Sequence, residues 1–272
     1  MRLIIREVFE KNKCVYGQKK MYKALRRKGI NIGKERLARL YKEENLVSKY
    51  IKKRKPNTEN KTNTDEATNE IGRNFADKKP LEVVVSDLTY VRVNKKWNYI
   101  CLLIELSHRE IIGYAAGENK DAKLVVKAWR TVKEDIRKIS YFHTDLGGEF
   151  KNDDIDEILQ TFNIKRSLSK AGTPIDNAVA ESMYDIVKTE FVFGENFTDL
   201  QDLEHKLAGW VWWYNNERLH SSLGYITPVE SRLNSEVGVT ADKIANKKYL
   251  KFWRKLSIHN QKIEIVNYHL IH

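Results

Sequence analysis

The chain has 272 residues, about two-fifths of them apolar, and a formal net charge of +12 at pH 7. That length leaves room for one large domain or two smaller ones with a real core. No apolar run approaches the roughly 20 residues that span a bilayer. The start, MRLIIREVFEKNK, lacks a signal-peptide pattern, and the two cysteines, Cys14 and Cys101, are far apart. They form neither a disulfide framework nor a zinc cluster and fit a reducing cytoplasm, with no membrane partner. Charge is segregated: residues 1–55 carry +14, residues 56–240 carry −7 and residues 241–272 carry +5. Basic ends suit a phosphate-binding protein, and an acidic middle suits a carboxylate site that needs cations before it accepts DNA.

Residues 1–12 fit a short helix with Leu3, Ile4 and Val8 on one side, broken at Tyr16-Gly17. Residues 18–28 place Met21, Tyr22 and Leu25 on one face, with Lys19, Lys23, Arg26 and Arg27 elsewhere, and Gly29 suits the helix end. Residues 34–45 turn Leu37, Leu40 and Tyr41 inward and Lys34, Arg36, Arg39 and Lys42 outward. Two short amphipathic helices around a Gly-containing connection predict a helix-turn-helix-like unit over residues 1–50. Its second helix would enter the major groove, making Lys34, Arg36 and Arg39 candidate DNA contacts beside Arg26 and Arg27. A plain hairpin with solvated lysines is the simpler alternative, and the +14 weighs against it.

Residues 51–79 are polar and read as a linker. A core then runs over 80–234. LEVVVSDLTYVRV is β-rich, with Asp87 in or near the end of a strand. Trp97 to Ser107 and Arg109 to Ala116 are two further strands, antiparallel given their short connections. A helix is expected over 121–138, with Leu124, Val125, Ala128, Trp129, Val132 and Ile136 as its core stripe. Ile139 to His143 is a strand ending at Asp145. A helix at 154–162 and a short strand at 164–168 come next. Three strands and then alternating helices and strands describe an α/β sheet.

Ser169 to Lys188 opens with Gly172 and Pro174, and Thr173 or Asp176 can cap the helix that begins there. Ala178, Val179, Met183, Ile186 and Val187 recur at helical spacing. Asn177, Glu181 and Lys188 share one polar face, which suits a metal ion and an anionic substrate, or else is an ordinary solvated face. Residues 199–216 form another helix whose Trp210, Trp212 and Trp213 cannot all face one way. YNNERLHSSLGY is a polar loop with Arg218 and His220, and TPVE starts a short helix to about Leu233. In the tail, 235–272, Tyr249, Leu250, Phe252, Trp253 and Leu256 alternate with Lys247, Lys248, Lys251, Arg254 and Lys255. That segment would bind DNA or pack on another subunit, or is a plain surface helix.

Asp87, Asp145 and Glu181 come in an order, with 35 residues between the last two, that resembles the DDE triad of retroviral integrases and related transposases. SDLTYV, ELSHREIIGY, HTDLGGEF, DNAVAES and YNNERLHSSLGYITPVE occur in that sequence along the chain. Together they resemble the second-frame (OrfB) transposases of the family-three bacterial insertion sequences, over roughly Val15 to Glu230. The resemblance implies a ribonuclease-H-like mixed sheet preceded by the small helical domain. It also implies metal-dependent 3′-end cleavage and strand transfer at the ends of an insertion sequence.

Asp87, Asp145 and Glu181 would hold two Mg²⁺ ions, with Mn²⁺ as a substitute; Asp87 would bridge both. Asn177 and Lys188 would position substrate phosphate. Implied partners are double-stranded DNA, further copies of the chain on DNA, and an upstream-frame (OrfA-type) protein. The implied location is the bacterial cytoplasm, on the nucleoid when DNA is bound. Glu149, Asp153, Asp154, Asp176 and Asp185 read as surface or cap residues, and His143 as a structural hydrogen-bonder. Three departures from the family pattern bear on substrate positioning: Val84 where Trp is usual, Glu105 where Asp is usual, and LGGEF for a more typical QGSQY. The competing reading is an inactive or domesticated derivative that binds DNA through its basic head. A ribonuclease-H-type nuclease fits less well, because of that head and the HSSLGYITPVE segment.

Overall fold

The structure is a computed structural model that describes residues 1–52, 79–169 and 178–236. The candidate contact Asn177, the capping residues Thr173 and Asp176, nearly all of the expected linker and the tail beyond Glu236 lie outside the described residues.

Three helices open the chain: α1 (Arg2–Lys11), α2 (Gln18–Arg27) and α3 (Lys34–Glu43). The apolar face of α1 is Ile5, Val8 and Phe9, whereas Leu3 is 81% exposed. The expected grouping of Leu3, Ile4 and Val8 is therefore corrected by one position. Ile5 and Phe9 are four apart and Val8 lies between them on the same side, a better helical stripe. Leu37, Leu40 and Tyr41 are buried as the pattern predicts.

Five strands form one sheet in the order β3-β2-β1-β4-β5. They are β1 (Val83–Val93), β2 (Lys96–Glu105), β3 (Ile111–Gly117), β4 (Tyr141–Thr144) and β5 (Lys165–Leu168). The first three are antiparallel and β1, β4 and β5 are parallel, so β1 is where the two pairing modes meet. One sheet face packs on α4 (Ala122–Trp129) and α5 (Asp153–Thr161), the other on α6 (Ala178–Ile186) and α7 (Leu200–Asn216). This is a mixed α/β sheet of the ribonuclease-H-like kind. α8 (Pro228–Glu236) closes the described chain, ending three residues past the expected Leu233.

The single helix expected over 121–138 ends at Trp129. Thr131 is the physical reason. Its hydroxyl accepts from Tyr114 N–H (2.9 Å) and lies 2.8 Å from the Ala128 carbonyl, pinning the chain to β3. Gly113 lets α4 come that close, because a Cβ there would sit 2.8 Å from the Ala128 oxygen. After α6 the helix widens into a π-helical turn, Val187–Val192.

The helical head shares one hydrophobic core with the sheet's α6–α7 side, from Ile5 and Leu25 through to Trp210 and Tyr214. Tyr16 is fully buried there, and its hydroxyl accepts from Leu219 N–H at 2.8 Å. Arg218 and His220, expected in a polar loop, are also buried. Arg218 makes a two-pronged ion pair with Glu190, at 2.6 and 2.7 Å, and Tyr50 of the head donates to the same carboxylate.

Candidate active site

Asp87 lies in β1 and Asp145 directly follows β4. The two strands pair in parallel, Val85 beside His143. Two residues further on, Asp87 and Asp145 come level where the strands part. Carboxyl ends of parallel strands at such a switch are common ligand sites. Asp87 is half-buried, and its Oδ1 accepts from Leu88 N–H at 2.7 Å. Burial pushes the Asp87 carboxyl up to about 6; the Leu88 N–H opposes this, the Asp145 charge adds to it, Lys120 opposes it and Glu149 adds again. Asp145 is half-buried and its Oδ1 accepts from Gly147 N–H at 3.0 Å.

Glu149, expected at the surface, is 8% exposed and stands among these groups. Its carboxylate folds back on Gly147, where a Cβ would come within 2.6 Å of it. Lys120 Nζ lies 2.8 Å from Glu149 Oε1, yet that buried oxygen has no well-angled hydrogen bond. Nothing in the sequence marks Glu149 or Lys120 for this site; neither is periodic, and the loop between β3 and α4 brings Lys120 in. Asp153, Asp154 and Asp185 are exposed, in keeping with surface roles. His143 is fully buried and pairs with Ser167 Oγ at 3.0 Å, a structural role.

Glu181 is in the first turn of α6 and exposed. Among the described residues no three His, Cys, Asp or Glu side chains converge closely enough to hold a metal ion. The Asp87–Asp145–Glu149 side nevertheless fits a hard cation. It has carboxylate oxygen donors and an excess of negative charge, with Lys120 the one cation among the described groups acting on Asp87. Glu181 is tied to this side through Tyr184, one turn further along α6. The fully buried Tyr184 hydroxyl donates to the Asp87 carbonyl and accepts from Leu102 N–H at 3.0 Å. Asp87 and Leu102 are ladder partners, so the hydroxyl is inserted into the β1–β2 ladder. The apolar periodicity of α6 includes Tyr184 only as one more buried ring, so the sequence does not disclose this role.

Lys188 is half-buried at the start of the π-helical turn, 5.3 Å from the centre of the Tyr90 ring. Lys34, Arg36 and Arg39 are exposed on α3. Arg26 stacks on Tyr22 at 5.7 Å and bonds to Asn31, and Arg27 donates to the Tyr225 carbonyl at 3.4 Å. Glu105 is buried and accepts from the N–H groups of Leu81, Ser107 and His108, closing the loop after β2.

An HTH-like domain model matches residues 1–54, and two integrase core domain models match 77–174 and 162–228. A 31 kDa protein of insertion element IS600 from Shigella sonnei is 30% identical over 235 residues, covering 85% of this chain and 86% of that protein. The chain belongs to the family-three insertion-sequence transposases of the DDE type. Another relative, the transposase for insertion sequence element IS629 of Shigella sonnei, is 25% identical over 89% of this chain and 81% of its own length. Among solved structures, the trimeric form of the HTLV-2 integrase catalytic core domain with magnesium aligns at 13% identity and TM-score 0.44. That alignment covers 56% of this chain and 95% of the other.

Proposed function

We propose that this chain is a DNA transposase that cleaves 3′ ends at its insertion sequence and joins them to target DNA. The observation that carries the reading is the pairing of Asp87 and Asp145 at the parting of β1 and β4, in a chain of this family. Residues 1–50 act as the DNA-reading head, 51–79 as a linker, 80–234 as the catalytic core and 235–272 as a basic tail. No described helix is long and apolar enough to cross a membrane.

Asp87 and Asp145 would hold a divalent cation, and Glu181 would complete the set for a second. Mg²⁺, or Mn²⁺ in its place, supplies charge neutralisation at the phosphorus and a lowered pKa on the attacking water or 3′-hydroxyl. Burial raises the Asp87 carboxyl, and the charge of a bound cation would lower it again. Lys120 partly neutralises the cluster through Glu149. Tyr184 fixes α6 against β1, so Glu181 and Asp87 move as one body. Lys188 and Asn177 meet substrate phosphate. Lys34, Arg36 and Arg39 contact element-end DNA, with Arg26 and Arg27 behind them. On DNA the chain works as an oligomer bridging two ends, with an upstream-frame protein as a further partner.

The test is a strand-transfer assay with a labelled element-end duplex, a target plasmid and Mg²⁺. Wild type should release a 3′-hydroxyl end and join it. Asp145→Asn should do neither while still binding the duplex. Joining by Asp145→Asn at the wild-type rate would sink the reading.

A further inference from the structure

Past Asp87, the β1–β2 hairpin presents two rings to solvent. Tyr90 is 57% exposed and Trp97 52%, with ring centres 5.1 Å apart and planes at 86°. Alternation along β1 sends Thr89, Val91 and Val93 inward and Tyr90 and Arg92 outward. Arg92 faces Trp97 across the ladder. Each ring carries a cation: the Arg92 guanidinium is 5.4 Å from the Trp97 centre, and Lys188 Nζ is 5.3 Å from the Tyr90 centre. Lys95 and Lys96 are exposed at the hairpin tip. One acid, Glu195, lines the neighbouring cleft with Arg92 and Lys95. The surface is therefore aromatic and strongly cationic.

Exposed rings next to unneutralised cations suit a ligand that has both flat π faces and negative charge. Unpaired nucleotides have both, whereas bases inside a duplex offer no face to stack on. Position supports the same occupant. Tyr90 follows Asp87 by three residues on β1, about 10 Å at the usual rise; the odd spacing turns its ring to the other sheet face, and Lys188, 5.3 Å from the ring centre, links it back to the α6 side. Lys188 sits on the continuation of the helix that carries Glu181. The surface is thus joined to two of the elements that bear the candidate carboxylates, β1 and α6.

We propose that Tyr90 and Trp97, flanked by Arg92 and Lys188, form a stacking platform for unpaired nucleotides at a DNA end. The platform holds the frayed strand beside the carboxylates and keeps it from re-pairing. Its location rests on the reading of Asp87 and Glu181 as reaction-centre residues; its binding does not.

The experiment measures binding of the full chain, in chelator, to two labelled duplexes by fluorescence anisotropy. One duplex is blunt and the other has a short non-complementary end. Wild type should bind the frayed duplex about tenfold more tightly, within what stacking one or two bases contributes. The double variant Tyr90→Ala with Trp97→Ala should lose that preference and keep its affinity for the blunt duplex. Trp97→Leu, which keeps apolar bulk, should lose part of it. Trp212→Ala, at a 60% exposed tryptophan on α7, should keep it in full. Retention of the preference by the double variant overturns the proposal. So does an equal loss on both duplexes, or no preference in wild type. Loss of self-association with unchanged DNA binding would overturn it too, assigning the rings to a contact between copies. Because the chelator prevents cleavage, a failure of the carboxylate reading in cleavage assays leaves these outcomes unaffected.

Discussion

Asp87 carries the sharpest consequence at the scale of single residues. Burial raises its carboxyl from 3.8 to about 6. The folded chain therefore binds a proton more readily than the unfolded chain between those values. The stability this gives is present below about pH 4 and lost as pH rises through about 6. Without metal, Asp87→Asn should stabilise the protein at pH 7 by about 2 kcal/mol, the shift discounted for partial exposure. The gain should vanish near pH 4. Denaturant melts of both proteins at the two pH values check this, and an unstabilised Asp87→Asn at pH 7 would contradict it. Mg²⁺ should raise the melting temperature of wild type and leave that of Asp87→Asn nearly unchanged.

His220 runs the other way. Burial, then Arg218, Lys20 and Arg109, hold its imidazole down to about 2. Arg218 Nη1 donates to a ring nitrogen at 3.0 Å, which requires that nitrogen to be unprotonated. The unfolded chain binds the extra proton below about 6.5, so stability falls with pH there, by at most about 1.4 kcal/mol per unit. Melting temperatures from pH 8 to 5 should fall less steeply for His220→Gln than for wild type. Parallel profiles would rule His220 out as the source.

Elements explain which parts of the site are legible in the sequence. Asp87 stands out inside a β-branched strand and Asp145 at the end of an aromatic one, and strand period is a strong local signal. Their level placement does not, since register between β1 and β4 depends on residues 58 apart in sequence, Val85 and His143 among them. Glu149 looks like a surface residue because a lone glutamate after two glycines has the composition of a turn. Only the fold shows it turned inward over Gly147. The helix expected to reach residue 138 fails at Thr131, a hydroxyl whose partner on β3 lies 17 residues away.

The buried Glu190–Arg218 pair joins the π-helical turn after α6 to the loop after α7, and Tyr50 ties the head to it. Burial alone would lower the Arg218 guanidinium's proton affinity, but Glu190's charge and hydrogen bonds outweigh it and raise it. Arg218→Ala leaves Glu190 buried and uncompensated, and should destabilise the chain by about 3–5 kcal/mol. The double variant Arg218→Met with Glu190→Leu should recover most of that loss. Urea melts decide it. A mild single variant, or a double variant as damaged as the single, would show that the pair is not the latch.

Among the described residues the helical head shares a core with one face of the sheet, and the sequence places basic ends around an acidic middle. The head is anchored through Tyr16 to the loop after α7, and through Tyr50 and Lys49 to Glu190 in the π-helical turn. Its exposed cations on α3 therefore keep a set orientation to the carboxylates. Removing Lys34, Arg36 or Arg39 singly should weaken DNA binding about equally for all sequences if they touch phosphate. Each should then lower the salt dependence of affinity by about one unit of slope. A sequence-selective loss at any of them would instead mark a base contact.

The central claim is that Asp87, Asp145 and Glu181 form one cleavage centre, although the described structure brings only the aspartates together. The most direct measurement is nicking of supercoiled plasmid with Mg²⁺ or Mn²⁺ by wild type and by Glu181→Gln, with DNA binding of both checked in parallel. The account predicts metal-dependent nicking by wild type and none by Glu181→Gln, with binding unchanged. Equal nicking by both would remove Glu181 from the centre and contradict the account.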